Sequence, residues 1–542
     1  MKVAVIHFGK SPDLDKNERN LLDLNIEAAK NRADLIVNPE LPILPLFSDS
    51  APIKINSKAQ NIAESRAYAR WFAEVWSPRL IQHLFDEVVV PHGKYIVISV
   101  ITSDPEFHIF HNAALLIGPK TVEAPEGIYQ IYYKRELHGD IYATKGASKL
   151  EPARLDIGNI GAIICGDYST PLISRSLAIN GSDIIAIPAA ITSPTSDTLK
   201  VRALENGIPF ALANCYEHDG VYVGEWKPES AIVRADGTVT DSYSGYEDTI
   251  LYDDFDLSAE EAKRCKTDKL NRRRPHLYQG AVVDLTSRIL RDPCSLPPKS
   301  DICVITVSGV AVEQNTVFTE GRDLIASVSK EDTPVFVVLP ELSLERKEVQ
   351  KFMDFMKEQK VYAVCSFVEN LQRVVALFDP HGQELLSYKK VHLSDDDVHN
   401  GFLPGDRLEF YFDLPVGRIG VLAGEDLLYP EAIEAHRNVA VDLILASSRL
   451  NIDGGILFAD IAKSRHLNVA VADWRFKGGI YKRAPNSCAA NEQSINSLKF
   501  DTQEGRIEPA RGLAQSPLVG LESIVRIVPR GAAEHPIKED AH

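Results

Sequence analysis

Residues Asn159–Pro171 read NIGAIICGDYSTP, and residues Arg418–Pro430 read RIGVLAGEDLLYP. In each, an apolar strand run closes on a small residue, an Asp follows, and a Pro suits the first turn of a helix. Working outward, the same features recur in the same order on both sides. KVAVIHF (Lys2–Phe8) leads through the helical stretch LLDLNIEAAKN to LIVNPEL, and ICVITV leads through TEGRDLIASVSK to PVFVVLPEL. Both second strands therefore end in Pro-Glu-Leu, at 39–41 and at 340–342. YYKREL (Tyr132–Leu137) pairs with YKKVHL (Tyr388–Leu393), and a helix and then a strand (DIIAIPAA or DLILASS) follow each quoted stretch. Four features in one order argue for a duplication. Strands alternating with helices in each half predict an α/β class.

A chain of 542 residues suits two domains. The sequence places a first domain over 1–290, a linker over 291–300 (RDPCSLPPKS, rich in Pro and Ser), a second domain over 301–530 and a mobile tail over 531–542. The charged stretch RCKTDKLNRRRP before the linker reads as a solvated face or as a tail packing on its own domain. The formal charge of −17, with no long basic run, argues against nucleic acid or an anionic membrane as the main partner. Seven scattered cysteines, never spaced as C-x-x-C, argue against a disulfide framework or a structural zinc site and suit a reducing compartment. The sequence opens directly on a strand, and no apolar run is long enough to span a bilayer, so a cytoplasmic protein is expected.

Cys165 ends the apolar run IGAIIC, just ahead of a helical stretch opened by Pro171. A thiol there stands near free amide N–H groups and the positive end of a helix, which would lower its pKa toward the nucleophilic thiolate. Gly166 lets backbone approach a substrate, so its N–H is a candidate oxyanion donor. A lone cysteine in an apolar run reads equally as core packing, but its position at the strand end counts against that. Glu40 also sits at the C-terminal end of a strand, the edge where ligands gather in α/β sheets. Alone it would be a loop charge, as Lys134 alone would be a surface lysine lying over the neighbouring tyrosines.

Together these residues resemble the Glu–Lys–Cys site of the nitrilase, or carbon–nitrogen hydrolase, superfamily. The motifs are Pro-Glu-Leu at 39–41, Tyr-x-Lys at 132–134 and Ile-Cys-Gly-Asp at 164–167. His-Asn-Ala-Ala at 111–114, Arg202 with Glu205 and Asn206, Asn214 and the stretch Ser230–Gly237 support it in the same order. The resemblance implies a four-layer αββα sandwich, in two copies. It also implies a hydrolase that cleaves a non-peptide carbon–nitrogen bond, the amide of a small molecule, through a thioester on Cys165. Glu40 would be the general base, with Lys134 and the Gly166 N–H stabilising the tetrahedral oxyanion. Oxyanion donors of this kind are worth on the order of 3–4 kcal/mol. The same three residues would serve a nitrile hydrolase or an acyltransferase. A non-catalytic binding or scaffold protein is the alternative of another class. No cofactor or metal is expected, since neither a Gly-rich phosphate loop nor ligand spacing is present.

The sequence departs from the family's pattern in places. For the second acidic residue that many members carry after the lysine, Asp140 is chosen over Glu136 and His138. Tyr168-Ser169-Thr170 follows the Cys-x-Asp motif, where relatives that recognise carboxylates often carry arginine; Arg175 lies inside the helix. Tyr168 is therefore a candidate stacking or hydroxyl contact, and a carboxylate-bearing substrate is less favoured. Ninety-three residues separate Glu40 from Lys134, against forty-eight between Glu341 and Lys390. The excess is rich in large side chains, and Trp71, Phe72 and Trp76 would form either a lid over the pocket or the buried face of an amphipathic helix.

In the second half Glu341 and Lys390 persist, but Gly424 stands at the cysteine position. The segment aligned with Arg202 reads IAKSRH, and Cys365 and Cys488 fall elsewhere in the repeat. The second half is expected to be non-catalytic, with Glu341 and Lys390 retained as a buried ion pair and His392 as a structural histidine. Because domains of this family commonly pair through one face, the resemblance implies an intramolecular pseudo-dimer, open to further self-association.

Overall fold

In the computed structural model the chain divides into two compact units, Met1–Asn271 and Arg272–His542. The structure describes residues 1–45, 62–104, 106, 109–138, 140–147, 149–217, 227–257, 260–278, 302–307, 325–326, 334–342, 344–408, 410–450, 452, 454–465, 467–474 and 479–481. The expected linker and tail lie outside these residues, as do Cys294 and Cys488. No helix among them is long and apolar enough to cross a membrane.

The first unit carries two sheets. Strands β1 (Lys2–Lys10), β2 (Leu35–Val37), β3 (Tyr95–Asp104), β4 (Ile109–Ile117) and β5 (Ile128–Tyr133) build one. Strands β6 (Ala153–Leu155), β7 (Gly158–Ala162), β8 (Ile184–Pro188) and β9 (Phe210–Ala213) build most of the other. Of the remaining strands, β10 (Cys215–Glu217) and β13 (Thr249–Asp254) join β1, while β11 (Ser230–Val233) and β12 (Val239–Tyr243) extend the second sheet beyond β9. Pairing is parallel from β1 through β2 to β3, antiparallel from β3 to β5, and parallel from β7 through β9.

Side-chain alternation sets the layers. Val3 and Val5 of β1 point into the core shared with the second sheet, while Ala4, Ile6 and Phe8 point into a separate core under the helix Leu14–Lys30. Leu35 and Val37 of β2 follow the first set and Ile36 the second. Both faces are covered, which is why KVAVIHF is apolar almost throughout instead of alternating. The first sheet meets the second through β2 against β8 and β9, and the helix Ser196–Asn206 packs on β9 and β11. The result is the four-layer αββα sandwich that the sequence led us to expect.

The insertion after Glu40 forms a nearly continuous helical rod, Ile62–Trp71, Ser77–Leu84 and Val90–His92, joined by two π-helical turns at Phe72–Trp76 and Phe85–Val89. Phe72, Trp76, Leu80, Leu84 and Val88 are buried in the core under the first sheet. Trp71 is 40% exposed and Val75 48%. Of the two readings of this stretch, the structure supports the amphipathic helix over the lid: two of the three aromatics are core, and Trp71 only edges against Trp76 and Tyr68.

The second unit repeats the plan with two five-stranded sheets. One contains β14 (Cys303–Thr306), β15 (Val335–Val338), β16 (Tyr362–Glu369), β17 (Gln372–Phe378) and β18 (Glu384–Lys389). The other contains β19 (Tyr411–Leu414), β20 (Gly417–Ala423), β21 (Leu443–Ser448), β22 (Asn468–Asp473) and β23 (Gly479–Tyr481). The end of the charged stretch belongs here: Arg273 Nε donates to Glu431 Oε1 at 2.8 Å, and the Tyr278 hydroxyl lies 2.8 Å from His392 Nε2. Among the described residues, Arg272–Tyr278 thus go with the second unit.

Candidate active site

Three strand ends of the first unit converge. Glu40 follows β2, and its N–H donates to Ala189 O at 3.1 Å. The next residue, Leu41, is left-handed with φ of 42°, a conformation that costs a branched residue energy and turns the chain sharply behind the glutamate. Lys134 follows β5; its N–H donates to Asn112 O at 2.9 Å and its carbonyl accepts from Gly146 at 2.8 Å. Cys165 follows β7. Glu40 and Lys134 are each 1% exposed and Asp140 3%.

Lys134 is the hub. Its ammonium lies 2.6 Å from Glu40 Oε1 and 2.8 Å from Asp140 Oδ2. Burial alone would lower its pKa, but Asp140 and Glu40 outweigh that and hold it charged well above its ordinary range. Asn112 ties the two acids together from the other side, donating to Glu40 Oε1 at 2.6 Å and to Asp140 Oδ1 at 3.3 Å. Its own Oδ1 accepts from Ser99 at 3.0 Å. The structure thus brings Asp140, and neither Glu136 nor His138, onto the lysine. The bridging part played by Asn112 was not read from the sequence; it follows from the antiparallel register that sets Ile101 opposite Asn112.

Cys165 opens a 3-10 turn, Cys165–Ser169, with φ of 48°. Its sulfur lies 3.8 Å from Ala190 O. Here the structure corrects the expectation of a lowered thiol pKa. Burial first, and then the Glu40 carboxylate, push the thiol well above its usual range, against the pull of Lys134. The helix that was to lower it begins only at Pro171, a full turn later, and the helix dipole falls off within its first turn. Burial and the Glu40 carboxylate thus favour the protonated form of the resting thiol.

Asp167 fastens the cysteine turn to the lysine strand. It accepts from the Tyr132 hydroxyl at 2.7 Å, from the N–H of Glu136 at 2.7 Å and Arg135 at 3.2 Å, and from Ile164 N–H at 3.2 Å. Burial pushes its carboxyl up to about 6 in spite of these donors. A Cβ on Gly166 would meet the ring of the exposed His138 at 2.3 Å, so a larger residue there requires that ring to move. Tyr168 is buried in the core shared by the two sheets, and its carbonyl accepts from Arg202 Nε at 2.9 Å.

The second unit keeps this frame and fills it differently. Leu342, after Glu341, is left-handed with φ of 55°, and Glu341 N–H donates to Ser448 O at 3.3 Å. Lys390 N–H donates to Arg373 O at 2.9 Å, which puts Arg373 in the place of Asn112. Asp426 accepts from the Tyr388 hydroxyl and from His392 N–H at 2.8 Å, as Asp167 does from Tyr132 and Glu136. The Lys390 ammonium lies 2.9 Å from Glu341 Oε1 and 2.8 Å from Asp397 Oδ2, and pairs with Glu425, the residue that replaces Gly166. Arg373 Nη1 lies 3.1 Å from Glu341 Oε1. The three carboxylates have oxygens within 4.8 Å of one another, and the cation they share is the Lys390 ammonium. The retained Glu341–Lys390 pair was expected; Arg373 and Glu425 were not. His392 is a structural histidine: it stacks on Tyr429 with ring centroids 3.6 Å apart and bonds Asp426 at 2.7 Å.

The carbon-nitrogen hydrolase family model matches residues 2–264 and 310–481. A citrullinase of Francisella tularensis subsp. tularensis is 25% identical over 304 residues, covering 52% of this chain and 98% of the relative. A nitrilase of Pyrococcus abyssi is 26% identical over 210 residues, covering 38% and 72%. Among solved structures, a carbon-nitrogen hydrolase of Helicobacter pylori G27 aligns with a TM-score of 0.44 at 20% identity, over 52% of this chain and 98% of its own. The amidase NitN of Nesterenkonia sp. AN1 aligns with a TM-score of 0.39 at 22% identity, over 52% and 98%. With the family matched in both halves, the chain belongs to the carbon-nitrogen hydrolase family of the nitrilase superfamily and carries it twice in tandem.

Proposed function

We propose that the first half hydrolyses the amide of a small molecule through a thioester on Cys165, and that the second half does no chemistry. The observation that carries this is the meeting of Glu40, Lys134, Asp140 and Cys165 in one buried cluster. Glu40 takes the thiol proton as sulfur attacks the carbonyl carbon. The developing oxyanion is met by the Lys134 ammonium and the Gly166 N–H, charges already in place before the reaction. The amine leaves with the proton held by Glu40, and the acyl group stays on sulfur. Glu40 then takes a proton from water as it attacks the thioester, and the acid departs with the thiol restored. Asp140 keeps Lys134 charged and fixed throughout. A raised thiol pKa suits this scheme, because the proton moves only when a substrate is present.

In the second half Gly424 offers no nucleophile, and the Glu425 carboxylate already occupies Lys390. The likeness to a citrullinase brings a ureido carbon–nitrogen bond within the range of amides to be tried. Incubation with a panel of amides and nitriles, followed by mass spectrometry of the Cys165 peptide, tests the reading. An acyl adduct on Cys165, absent in Cys165→Ala, is expected. Release of acid and ammonia from amides marks an amidase, from nitriles a nitrile hydrolase. Faster release with an added amine marks an acyltransferase. If Cys165 reacts with no substrate and no electrophile, the reading fails and a binding or scaffold role takes its place.

A further inference from the structure

Lys10, the last residue of β1, is 1% exposed, and its ammonium donates to the carbonyl of Glu40 at 2.8 Å. It forms no ion pair with a described carboxylate, although the buried Glu217 is its register partner on β10, and the Cys215 thiol lies nearby. A buried ammonium with no carboxylate in direct contact is costly to keep, so its single backbone partner carries weight. That carbonyl precedes Leu41, which holds the left-handed φ of 42°. Glu40 is thus clamped on both sides: its N–H on Ala189 O, its carbonyl under Lys10.

The second unit supplies an independent parallel. There the carbonyl of Glu341, again followed by a left-handed leucine, accepts from the indole N–H of Trp474, and its N–H again donates across to the second sheet. Two unrelated side chains, reaching from different elements, cap the same carbonyl. The capped turn is what both halves preserve.

We propose that Lys10 is a positioning residue for Glu40: its hydrogen bond to the Glu40 carbonyl pins the strained turn and keeps the carboxylate on Cys165 and Lys134. This rests on the reading of Glu40 as the base acting on Cys165. The indole in the second unit shows that a neutral donor can serve, so the bond, and not the charge, is the essential part.

The test is the pH dependence of Cys165 alkylation by iodoacetamide in the full chain, read by mass spectrometry of the Cys165 peptide. Glu40→Gln removes the anion that pushes the thiol up, so the alkylation midpoint falls, by about 1 pH unit or more. Lys10→Met, nearly isosteric but without a donor, lets Glu40 drift from the thiol, and the midpoint falls by a fraction of that, about half a unit. Lys10→Arg keeps a donor and brings the midpoint back. Loss of a cation acting only through its charge would raise the midpoint instead, and a rise in Lys10→Met overturns the proposal, as does no change. If Lys10→Met does not fold, Lys10→Arg carries the test: a midpoint at the wild-type value supports the proposal and a fall overturns it. A midpoint unmoved in Glu40→Gln would overturn the reading of the base itself, whereas movement in Glu40→Gln with none in Lys10→Met overturns only the role of Lys10.

Discussion

In the second half a Cβ built on Gly424 would lie 2.9 Å from Glu341 Oε2. The glutamate that corresponds to Glu40 leans into the place where the first half keeps its thiol, and this oxygen has no hydrogen-bond partner. A cysteine returned to this position would meet its base, but Glu425 still fills the ammonium site. We expect Gly424→Cys alone to remain unreactive toward iodoacetamide at residue 424. Gly424→Cys with Glu425→Gly should become alkylated, read by peptide mass spectrometry in a Cys165→Ala background. Equal reactivity in the single and double variants would remove Glu425 as the block.

In the first half, Cys165→Ala should lower kcat/KM for the best substrate by about ten-thousandfold or more, the scale seen when a nucleophile is deleted. Glu40→Gln should cost on the order of a hundred- to ten-thousandfold, as for a general base. Thermal melting should place both variants within a few degrees of wild type, which separates chemistry from folding.

The contact between Gly166 and His138 is open to a double-mutant cycle. Gly166→Ala drives a methyl into the imidazole and displaces the N–H offered to the oxyanion, at an expected cost of about a hundredfold in kcat. Trimming the ring with His138→Ala should recover most of that in the double variant, a coupling of about 1–3 kcal/mol. Additive losses would show that the ring is not what glycine makes room for.

His7 supplies the pH prediction. Its Nε2 lies 3.0 Å from Gly245 O, an acceptor, so Nε2 carries the proton and Nδ1 accepts from Ser230 Oγ at 2.8 Å. Ser230 in turn accepts from Asn214 N–H at 2.9 Å. Burial lowers the pKa from 6.5 to about 4, against the opposing pull of the Gly245 carbonyl and Asp248. Between those values the unfolded chain binds the proton and the folded chain does not, so stability is full above about 6.5 and falls as pH drops toward 4. The contribution is at most about 3 kcal/mol. Urea midpoints of wild type and His7→Gln at pH 4.5 and 7 should differ in slope by this sign, with the wild type losing more on acidification.

Much of the candidate site was legible in the sequence because its residues sit at strand ends, where a short motif fixes their place. Pro-Glu-Leu, Tyr-x-Lys and Cys-Gly-Asp each follow an apolar run, and the offset between Cys165 and Gly424 can be seen by aligning the halves. Asp140 was one of three candidates after Lys134 that the family resemblance pointed to, and the sequence alone does not separate it from Glu136. What stayed hidden depends on neighbours distant in sequence. Asn112 bridges two acids only because β3 and β4 pair in one register. Lys10 reads as the polar end of a strand until its ammonium is found under Glu40. Arg373 and Glu425 are ordinary charges in the sequence; their reach to Glu341 and to Lys390, respectively, is a matter of side-chain length across the sheet. The thiol pKa was misjudged because local helix geometry was weighed without the burial that only the packed sandwich imposes.

The capped, left-handed turn after the glutamate has a practical consequence. Because Leu342 and the capped carbonyl of Glu341 persist where no thiol remains, each molecule carries the same turn with and without the sulfur. A probe that labels or binds both halves recognises the shared scaffold; one that finds only the first half recognises what Cys165 and the open Gly166 add.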